Sequence, residues 1–571
     1  MPVSTASPGT AGVRPSGCPG VVLAVFISLF AFSAIRHPVP GRGEPYYLTK
    51  AKHYWNPAWC AGDFFLESSN PHRVFYQTVG LLTRVVSLPS TAWIGRGLAL
   101  ALLAFGWTAL IRRLIPGRFS PLWVLWIYLG LVAVGNFAGE WIVGGVEAKV
   151  FAYALLFWSL ALLFDGSWKA SATCAGAAVS FHPIVGLWSV AAGIFAGGTR
   201  WLFERFSTGP LSSAVLSPQP GAIPRNAAPK RADVFVSAVL FVLCTLPGLI
   251  PAIALLDTAP SPVADYIEVY YRLAHHLDPM AFPHRSWWVL GTWILAWTAG
   301  WLVSASNRPS QNEPTGRPVQ RAAEPQNRAF FSLLVLGSLL IVGVGLWAGL
   351  RTCPPQKMPF YHLRTTILKF YPFRLADALL PMAAAVSAVS MARCCSGRYR
   401  QSADRFLRVI AVAALMFALV SRPMDRIPIG FSRRSFTDWI ATCRWINNKT
   451  PRDAEFITPA VSNAFLWYAE RRQYVSFKDC PQDAPGIVEW NRRLRRIDRW
   501  RHDDPLPAGS LPALHRLRHD TGATYLIDHS DHPFDLRPIH TNGRYRVYRL
   551  PNGHAGRNGN GGDVSPRPVK R

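Results

Sequence analysis

The sequence predicts an α-helical polytopic membrane protein of about 10–12 transmembrane helices, followed by a small C-terminal extracytoplasmic α/β domain. Three observations predict it. Half of the 571 residues are hydrophobic and only 16% are charged, where a soluble domain carries roughly a quarter, and mean hydropathy is positive at +0.15. The apolar residues gather in blocks of about 17–25, the length that crosses a bilayer core. After residue 435 these blocks give way to short alternating strand and helix patterns, as in an α/β layer. A formal charge of +28 would suit nucleic acid. The basic residues, however, sit mostly in loops between apolar blocks, where they are orientation signals first, and the reading includes no nucleic-acid partner.

In chain order, residues 1–19 are small and polar with a single Arg, and read as a disordered N-terminus. Apolar spans follow near 20–36, 91–111, 121–139, 146–164, 171–198, 233–256, 286–304, 329–350, 376–392 and 406–421. The first also has the length of a signal-peptide core, and its cleavage is the alternative. The span at 171–198 is too long for one simple helix and carries His182-Pro183 at its middle. Proline removes a backbone donor and turns the residue before it away from helix, so a hairpin of two short helices is expected there.

Basic residues then orient the spans. They cluster in loops 112–118 (Arg112, Arg113, Arg118), 199–232, 305–328 and 393–405. All four are cytoplasmic if 171–198 counts as an even crossing. The transmembrane domain is then 20–421, with 37–90, 140–145, 257–285, 351–375 and everything after 422 outside. Loop 37–90 carries basic residues of its own, against that rule. Loops 205–232 and 305–328 are rich in Pro, Ser, Gln and Asn and read as linkers.

Residues 422–551 read as the extracytoplasmic domain. Helices are expected at 436–448, 461–471, 485–499 and 511–520, and strands at 455–458, 474–477, 524–528 and 544–550. The tail 552–571 is Gly-, Asn- and Arg-rich and reads as disordered. Nine cysteines show no CxxC pair and no zinc spacing. Cys394-Cys395 lies in a basic loop and reads as inert. Cys443 and Cys480 share the C-terminal domain, so a disulfide between them is open in an exported domain. No P-loop, dinucleotide fingerprint or nucleophile elbow is present.

The most informative stretch for chemistry runs from Gly41 to Trp55. Glu44 sits a few residues past the first span, and Tyr46, Tyr47, Lys50 and Tyr54 follow at helical spacing. Asp63 and Glu67 come next. Ser69-Asn70-Pro71 then caps an expected amphipathic interfacial helix at about 72–87. A solvated loop acid and a simple anchor are the plainer readings of these features. Glu147 and Lys149 stand at the mouth of the fourth span, where ionisable groups are costly and tend to be functional. Two residues apart on one helix they would not face each other. A substrate phosphate on Lys149 and a structural interhelical ion pair are equal alternatives, and Gly144-Gly145 reads as close helix packing. His182 at the chain break is a structural histidine on the plainer reading and a ligand on the sharper one.

From Ser261-Pro262 to Asp278-Pro279 a helix is expected, with Asp265, Glu268, Arg272, His275 and His276 on one face. A salt-bridged solvated face is the plain account. A divalent metal held by Asp265, Glu268, His275 and Asp278 is the sharper one, although no spacing is diagnostic. Arg374 precedes a span closely. Its fork of donors suits phosphate, and snorkelling to lipid head groups competes.

A carboxylate just after the first span, a Tyr-bearing helix, an amphipathic helix and a second span ending in Arg112-Arg113 resemble the GT-C superfamily. So does the run Trp445-Ile-Asn-Asn-Lys-Thr-Pro-Arg-Asp-Ala-Glu-Phe-Ile-Thr458, followed by Tyr468 to Val475, which is similar to the extracytoplasmic domain of many such proteins. GT-C enzymes are multispan transferases that take sugar from a polyprenyl-phosphate carrier. The resemblance covers residues to about 198 and 435–480. It implies that Glu44 is the catalytic acid, although the family's usual residue is Asp with an acidic neighbour and here Gly43 and Pro45 flank a Glu.

On that resemblance, Glu44 would activate or orient the acceptor. Lys149, Arg272 and Arg374 would hold the phosphate, His275 and His276 would line the pocket, and Asp63, Glu147, His182, Asp265, Glu268 and Asp278 would support it. The implied partners are a polyprenyl-phosphate-linked sugar, membrane lipid, and a lipid, glycan or protein acceptor. No cofactor is implied beyond a divalent metal. Two other function classes remain: a non-catalytic scaffold or lipid-binding protein, and a transporter or flippase. The latter calls for charges at mid-membrane and paired broken helices, and only 171–198 reads as broken.

Overall fold

The computed structural model describes residues 19–206, 230–256, 262–306, 318–394, 399–421, 427–428, 430–532 and 534–551. The readings of residues 1–18, Ser261, Cys395, the tail 552–571 and the middles of loops 205–232 and 305–328 lie outside these residues. The chain forms two compact units. The first comprises 1–56, 69–426 and 482–488, the second 57–68, 427–481 and 489–571.

The first unit is helical. Among the described residues, five helices are long and apolar enough to cross a membrane: Pro19–Arg36, Leu88–Leu114, Arg231–Ala254, Glu324–Gly349 and Arg374–Cys394. Ser120–Val134 and Ala148–Phe164 are apolar but shorter, and Pro183–Phe206, His284–Ser306 and Tyr399–Val420 are further long helices. The apolar window of Arg374–Cys394 is 83% buried inside the protein, that of Arg231–Ala254 only 11%. An apolar helix left this uncovered would be driven to associate in water, whereas in lipid its backbone is already satisfied. The molecule is therefore an integral membrane protein, with Arg374–Cys394 at the centre of its bundle and Arg231–Ala254 at the rim.

The expected break at His182-Pro183 is present: helices Trp168–Phe181 and Pro183–Phe206 flank His182, whose backbone is extended at φ −147° and ψ 94°. Two other expectations fail. The helix at 72–87 is a short turn, Arg73–Gln77, then a 3₁₀ stretch, Val79–Arg84. Thr78, at φ −100° and ψ −85°, breaks it, and Leu81 and Val85 remain exposed. The 262–277 segment is likewise not one helix. Pro262–Tyr266 runs into a π turn, Ile267–Arg272, and then Ala274–Leu277. The wider turn moves successive side chains off the single face that a 3.6-residue period gives.

The second unit is a small α/β layer. Its sheet has the order β2-β1-β3-β5-β4, with β1 Glu455–Ile457, β2 Arg472–Gln473, β3 Tyr525–His529, β4 His540–Thr541 and β5 Tyr545–Arg549. β1 pairs parallel with β2 and β3, while β5 runs antiparallel to β3 and β4. Helix Arg433–Lys449 opens on a Ser432–Ser435 capping box and buries Trp439, Thr442, Cys443 and Ile446, a spacing that puts them on one stripe. Trp439, Cys443 and Ile446 pack with Phe456, Phe465, Ile527 and Val547. The helix expected at 461–471 shrinks to Phe465–Ala469, and the strand expected at 474–477 does not form; the strand there is the two-residue β2, Arg472–Gln473, just before it. Cys443 and Cys480 are both buried free thiols.

Residues 57–68, read from sequence as part of the first outer loop, belong to this second unit. The Asp63 carboxylate accepts backbone N–H groups of Phe65 (3.0 Å), Leu66 (2.9 Å) and Gln473 (2.9 Å). Burial pushes the Asp63 carboxyl up to about 7, against the pull of those donors.

Candidate functional site

One segment of the first unit, residues 136–147, gathers most of the buried charge. It connects helices Ser120–Val134 and Ala148–Phe164, and it has no regular structure, so its own backbone N–H groups need outside partners. Carboxylates supply them. Asp377, in the first turn of Arg374–Cys394, accepts Phe137 N–H (2.7 Å), Ala138 N–H (2.8 Å) and Glu140 N–H (3.2 Å). Glu44 accepts Val146 N–H at 2.9 Å.

Glu44 is fully buried, and all its acceptor capacity is used. Its Oε1 takes Arg96 Nε at 2.6 Å and Val146 N–H. Its Oε2 takes Arg96 Nη2 at 2.8 Å and Gly41 N–H at 2.7 Å. A carboxylate offers about four lone-pair sites, and here each is filled. Arg96 also donates to the His37 carbonyl at 2.5 Å. Gly145 is needed for this approach: a Cβ there would lie 3.0 Å from Glu44 side-chain atoms. Gly144-Gly145 thus packs the loop closely against two helices, with Ser33 Oγ of helix Pro19–Arg36 donating to the Gly144 carbonyl at 2.5 Å.

Beside this clamp lies a second, more open group of charges. Glu140 Oε2 is shared by Arg374 Nε at 3.0 Å and Lys149 Nζ at 3.4 Å. Its Oε1 is buried and meets no hydrogen-bond donor among the described residues. Lys149 also lies 3.4 Å from Glu147 Oε2, and its ammonium sits 3.9 Å from the Trp141 ring centre. Two residues apart on one helix, Lys149 and Glu147 would face apart. They meet because Glu147 precedes the helix in extended backbone, φ −139° and ψ 156°. Arg374 does not snorkel to head groups, for it is bound to Glu140 and packs 4.0 Å over the Tyr371 ring.

From Arg374 the network continues through aromatic rings. Its Nη1 lies 3.2 Å from His182 Nε2. The His182 and His72 ring centres are 5.4 Å apart, and His72 Nε2 lies 3.3 Å from the Tyr47 hydroxyl. Burial pushes His72 down to about 3, with the Arg374 and Lys50 charges adding to it, so the ring is neutral. Burial also raises the Tyr47 phenol well above its usual range. His276 joins from the other side, its Nδ1 2.6 Å from the Ala138 carbonyl, and burial likewise takes it down to about 3. Gly139 makes room for that ring, with a positive φ of +83°.

The structure therefore brings Lys149, Glu147, His182, His276 and Arg374 to one place, with Glu44 adjoining them through the 136–147 segment. It does not bring the metal candidates together. Asp265 pairs with Lys369 at 2.7 Å, Glu268 with Arg272 at 3.3 Å, and Asp278 with both Arg351 nitrogens at 2.7 Å. Each carboxylate is spent on a different base, and among the described residues no group of three or more His, Cys, Asp or Glu could hold a metal ion. His275 packs against His276 with the rings tilted and their centres 4.1 Å apart. Asp63 lies in the second unit.

The sequence reading missed Arg96, Glu140, His72 and Asp377 as site residues. A charged residue inside an apolar span, such as Arg96, is a signal in itself. Glu140 opens the segment in which Glu147 and Lys149 were already singled out. His72 and Asp377 carry no comparable mark.

The fold and the site define a polytopic membrane protein with a buried, charge-balanced polar network at the ends of its helices. Residues 437–497 match the family model described as a domain of unknown function, DUF6798. No curated protein matches the chain. Among solved structures, the chain is similar to ArnT from Cupriavidus metallidurans in the apo state, at 11% identity, 95% of this chain, 99% of that chain and a TM-score of 0.39. The same protein bound to undecaprenyl phosphate gives 12%, 95%, 100% and 0.37. The Archaeoglobus fulgidus oligosaccharyltransferase in complex with Zn and sulfate gives 12%, 89%, 68% and 0.40.

Proposed function

We propose that this protein is an integral membrane glycosyltransferase of the GT-C kind, moving a sugar from a polyprenyl-phosphate carrier to an acceptor at the extracytoplasmic face. The basic residues of loops 112–118, 199–232, 305–328 and 393–405 favour an extracytoplasmic C-terminal unit. The resemblance of the 41–55 stretch and the 445–475 stretch motivates the class. The observation that carries the reading is the Glu140–Lys149–Arg374 group.

Within that group two carboxylates, Glu140 and Glu147, balance two cations, Lys149 and Arg374. An arriving phosphate competes with Glu140 for both cations, since charge-assisted bonds to phosphate suit Arg and Lys alike. When the phosphate takes them, Glu140 is left as a carboxylate without a counter-charge beside the reacting centre. Such a group accepts a proton from an acceptor hydroxyl or amide. Lys149 and Arg374 meanwhile offset the charge growing on the departing carrier phosphate. Binding of donor and arming of the base are then one event. Glu44 is a positioning residue in this scheme: paired with Arg96, it holds residues 145–146 and through them the segment that carries Glu140.

One observation favours a second, non-catalytic reading, in which the chain binds lipid carrier without turnover: the first-loop acid has no acceptor site left to offer. A transfer assay separates the two. Protein reconstituted in lipid is given a panel of radiolabelled polyprenyl-phosphate sugars. The proposal expects transfer or donor hydrolysis by wild type that Glu140→Gln abolishes while carrier binding persists. Carrier binding without turnover by wild type on any donor would establish the non-catalytic reading instead.

A further inference from the structure

The second unit contains a cavity of about 240 Å³ that no step above uses. Its volume is that of about eight liquid waters, room for a single six-membered ring with one substituent. Phe431, Trp439 and Tyr545 give it aromatic walls, and Arg501 and His529 give it polar ones. Val461, 60% exposed, stands at its lip.

The polar groups are arranged to leave donors available. Arg501 gives Nη2 to Asp528 at 3.3 Å, and no other acceptor among the described residues takes its remaining N–H edge. Asp528 is buried and fixed, accepting the His529 N–H at 2.7 Å, so it sets the guanidinium in place without covering it. The His529 ring packs 5.2 Å from the Tyr545 ring. Burial pushes the His529 imidazole down from its usual value and the Tyr545 phenol up to about 12. Both are thus neutral near pH 7, able to donate a hydrogen bond while adding no charge.

A guanidinium held by Asp528, a neutral imidazole and ring-sized aromatic walls match a specific chemistry. A guanidinium fork suits a carboxylate, and aromatic faces suit the flat or C–H-rich face of a ring. We infer that this cavity is a binding site for a small carboxylate-bearing ring compound of roughly one-pyranose size, held by Arg501 and His529 against Phe431 and Tyr545. The inference rests on the second unit alone and stands whether or not the transferase reading does.

Isothermal titration of the full chain in lipid nanodiscs tests it, with glucuronate, benzoate and glucose as probes. Glucuronate is expected to bind, and glucose about tenfold or more weaker. Val461→Trp, which fills the lip from an exposed position and leaves the core untouched, is expected to weaken glucuronate about tenfold. Arg501→Gln is expected to erase the preference for the acid. Binding of glucuronate alone identifies a sugar acid, and competition by benzoate identifies the carboxylate on any ring; both uphold the site. Equal binding of glucose and glucuronate, no binding of any probe, or unchanged affinity in a folded Val461→Trp protein would overturn it. Because Arg501→Gln strands buried Asp528, Val461→Trp decides the matter if that variant does not fold.

Discussion

Glu44, in the first turn of helix Glu44–Trp55, and Glu140, within the irregular segment 136–147, both bear on that segment, and both are buried acids facing an arginine. Glu44 meets Arg96 through two bonds and has both remaining acceptor sites filled by backbone N–H groups. Glu140 meets Arg374 and Lys149 through one oxygen, and among the described residues the other finds no donor. The first is a closed arrangement that fixes backbone. The second is incomplete, and an unpaired acceptor in a dry site is costly, so it is held there by its surroundings and ready for a partner. A buried acid is thus informative about function through what its second oxygen lacks, not through its burial.

That contrast can be tested from its strongest consequence downward. Arg96→Ala leaves Glu44 buried with its charge uncompensated, which costs about 3–5 kcal/mol; unfolding in lipid or mild detergent should show a loss of that order. Replacing Glu44 and Arg96 together by Met should recover much of it. If Arg96→Ala is as stable as wild type, the clamp is not structural. Glu140→Gln should act the other way round. It is expected to cost less stability than Arg96→Ala, because Gln keeps an acceptor for Arg374 and Glu147 still pairs with Lys149, and to reduce transfer by about 10²–10⁴-fold, read in the same radiolabel assay. An unfolded Glu140→Gln protein would erase the distinction between the two acids.

The histidines on the open side give a pH test. His72 in the folded protein titrates at about 3, below its ordinary value of 6.5. Between these values the unfolded chain binds a proton that the folded one does not, so stability is full above pH 6.5 and declines as pH falls towards 3. At pH 5 the decline from this group is about 2 kcal/mol. Melting temperature measured from pH 7.5 to 4.5 should fall in wild type and fall less in His72→Phe. Equal slopes would mean that His72 takes up its proton in the fold.

The smallest effect is expected far from both acids. Arg113 and Asp165 form an ion pair with side chains 29% and 43% exposed, and pairs so exposed contribute about 0–1 kcal/mol. Arg113→Ala should therefore leave unfolding and transfer unchanged within error. A large loss there would show that ion pairs of any kind, rather than the buried ones, hold this bundle.

Much of the architecture follows from the sequence because its signals are local. Span length and apolar content mark the membrane helices, Pro183 marks the break at His182, and the run from Trp445 to Thr458 marks helix, turn and strand within a few residues of where they lie. The misses have local causes as well. The 72–87 stripe is apolar at helical spacing, yet Thr78 takes a non-helical backbone. The 262–277 face is charged at helical spacing, yet a π turn resets its period. Strand β4 is too short at two residues to leave a pattern.

By itself, then, the sequence determined the membrane class, the order of helices and the candidate segments, since these depend on neighbours within a turn or two. The tertiary structure alone decided which acid is closed and which is open. Glu44 finds Arg96 52 residues away and Val146 102 residues away, while Asp377 reaches back 240 residues to Phe137. A carboxylate's chemistry is set by the donors that fill its lone pairs, and no local pattern records donors brought from so far along the chain.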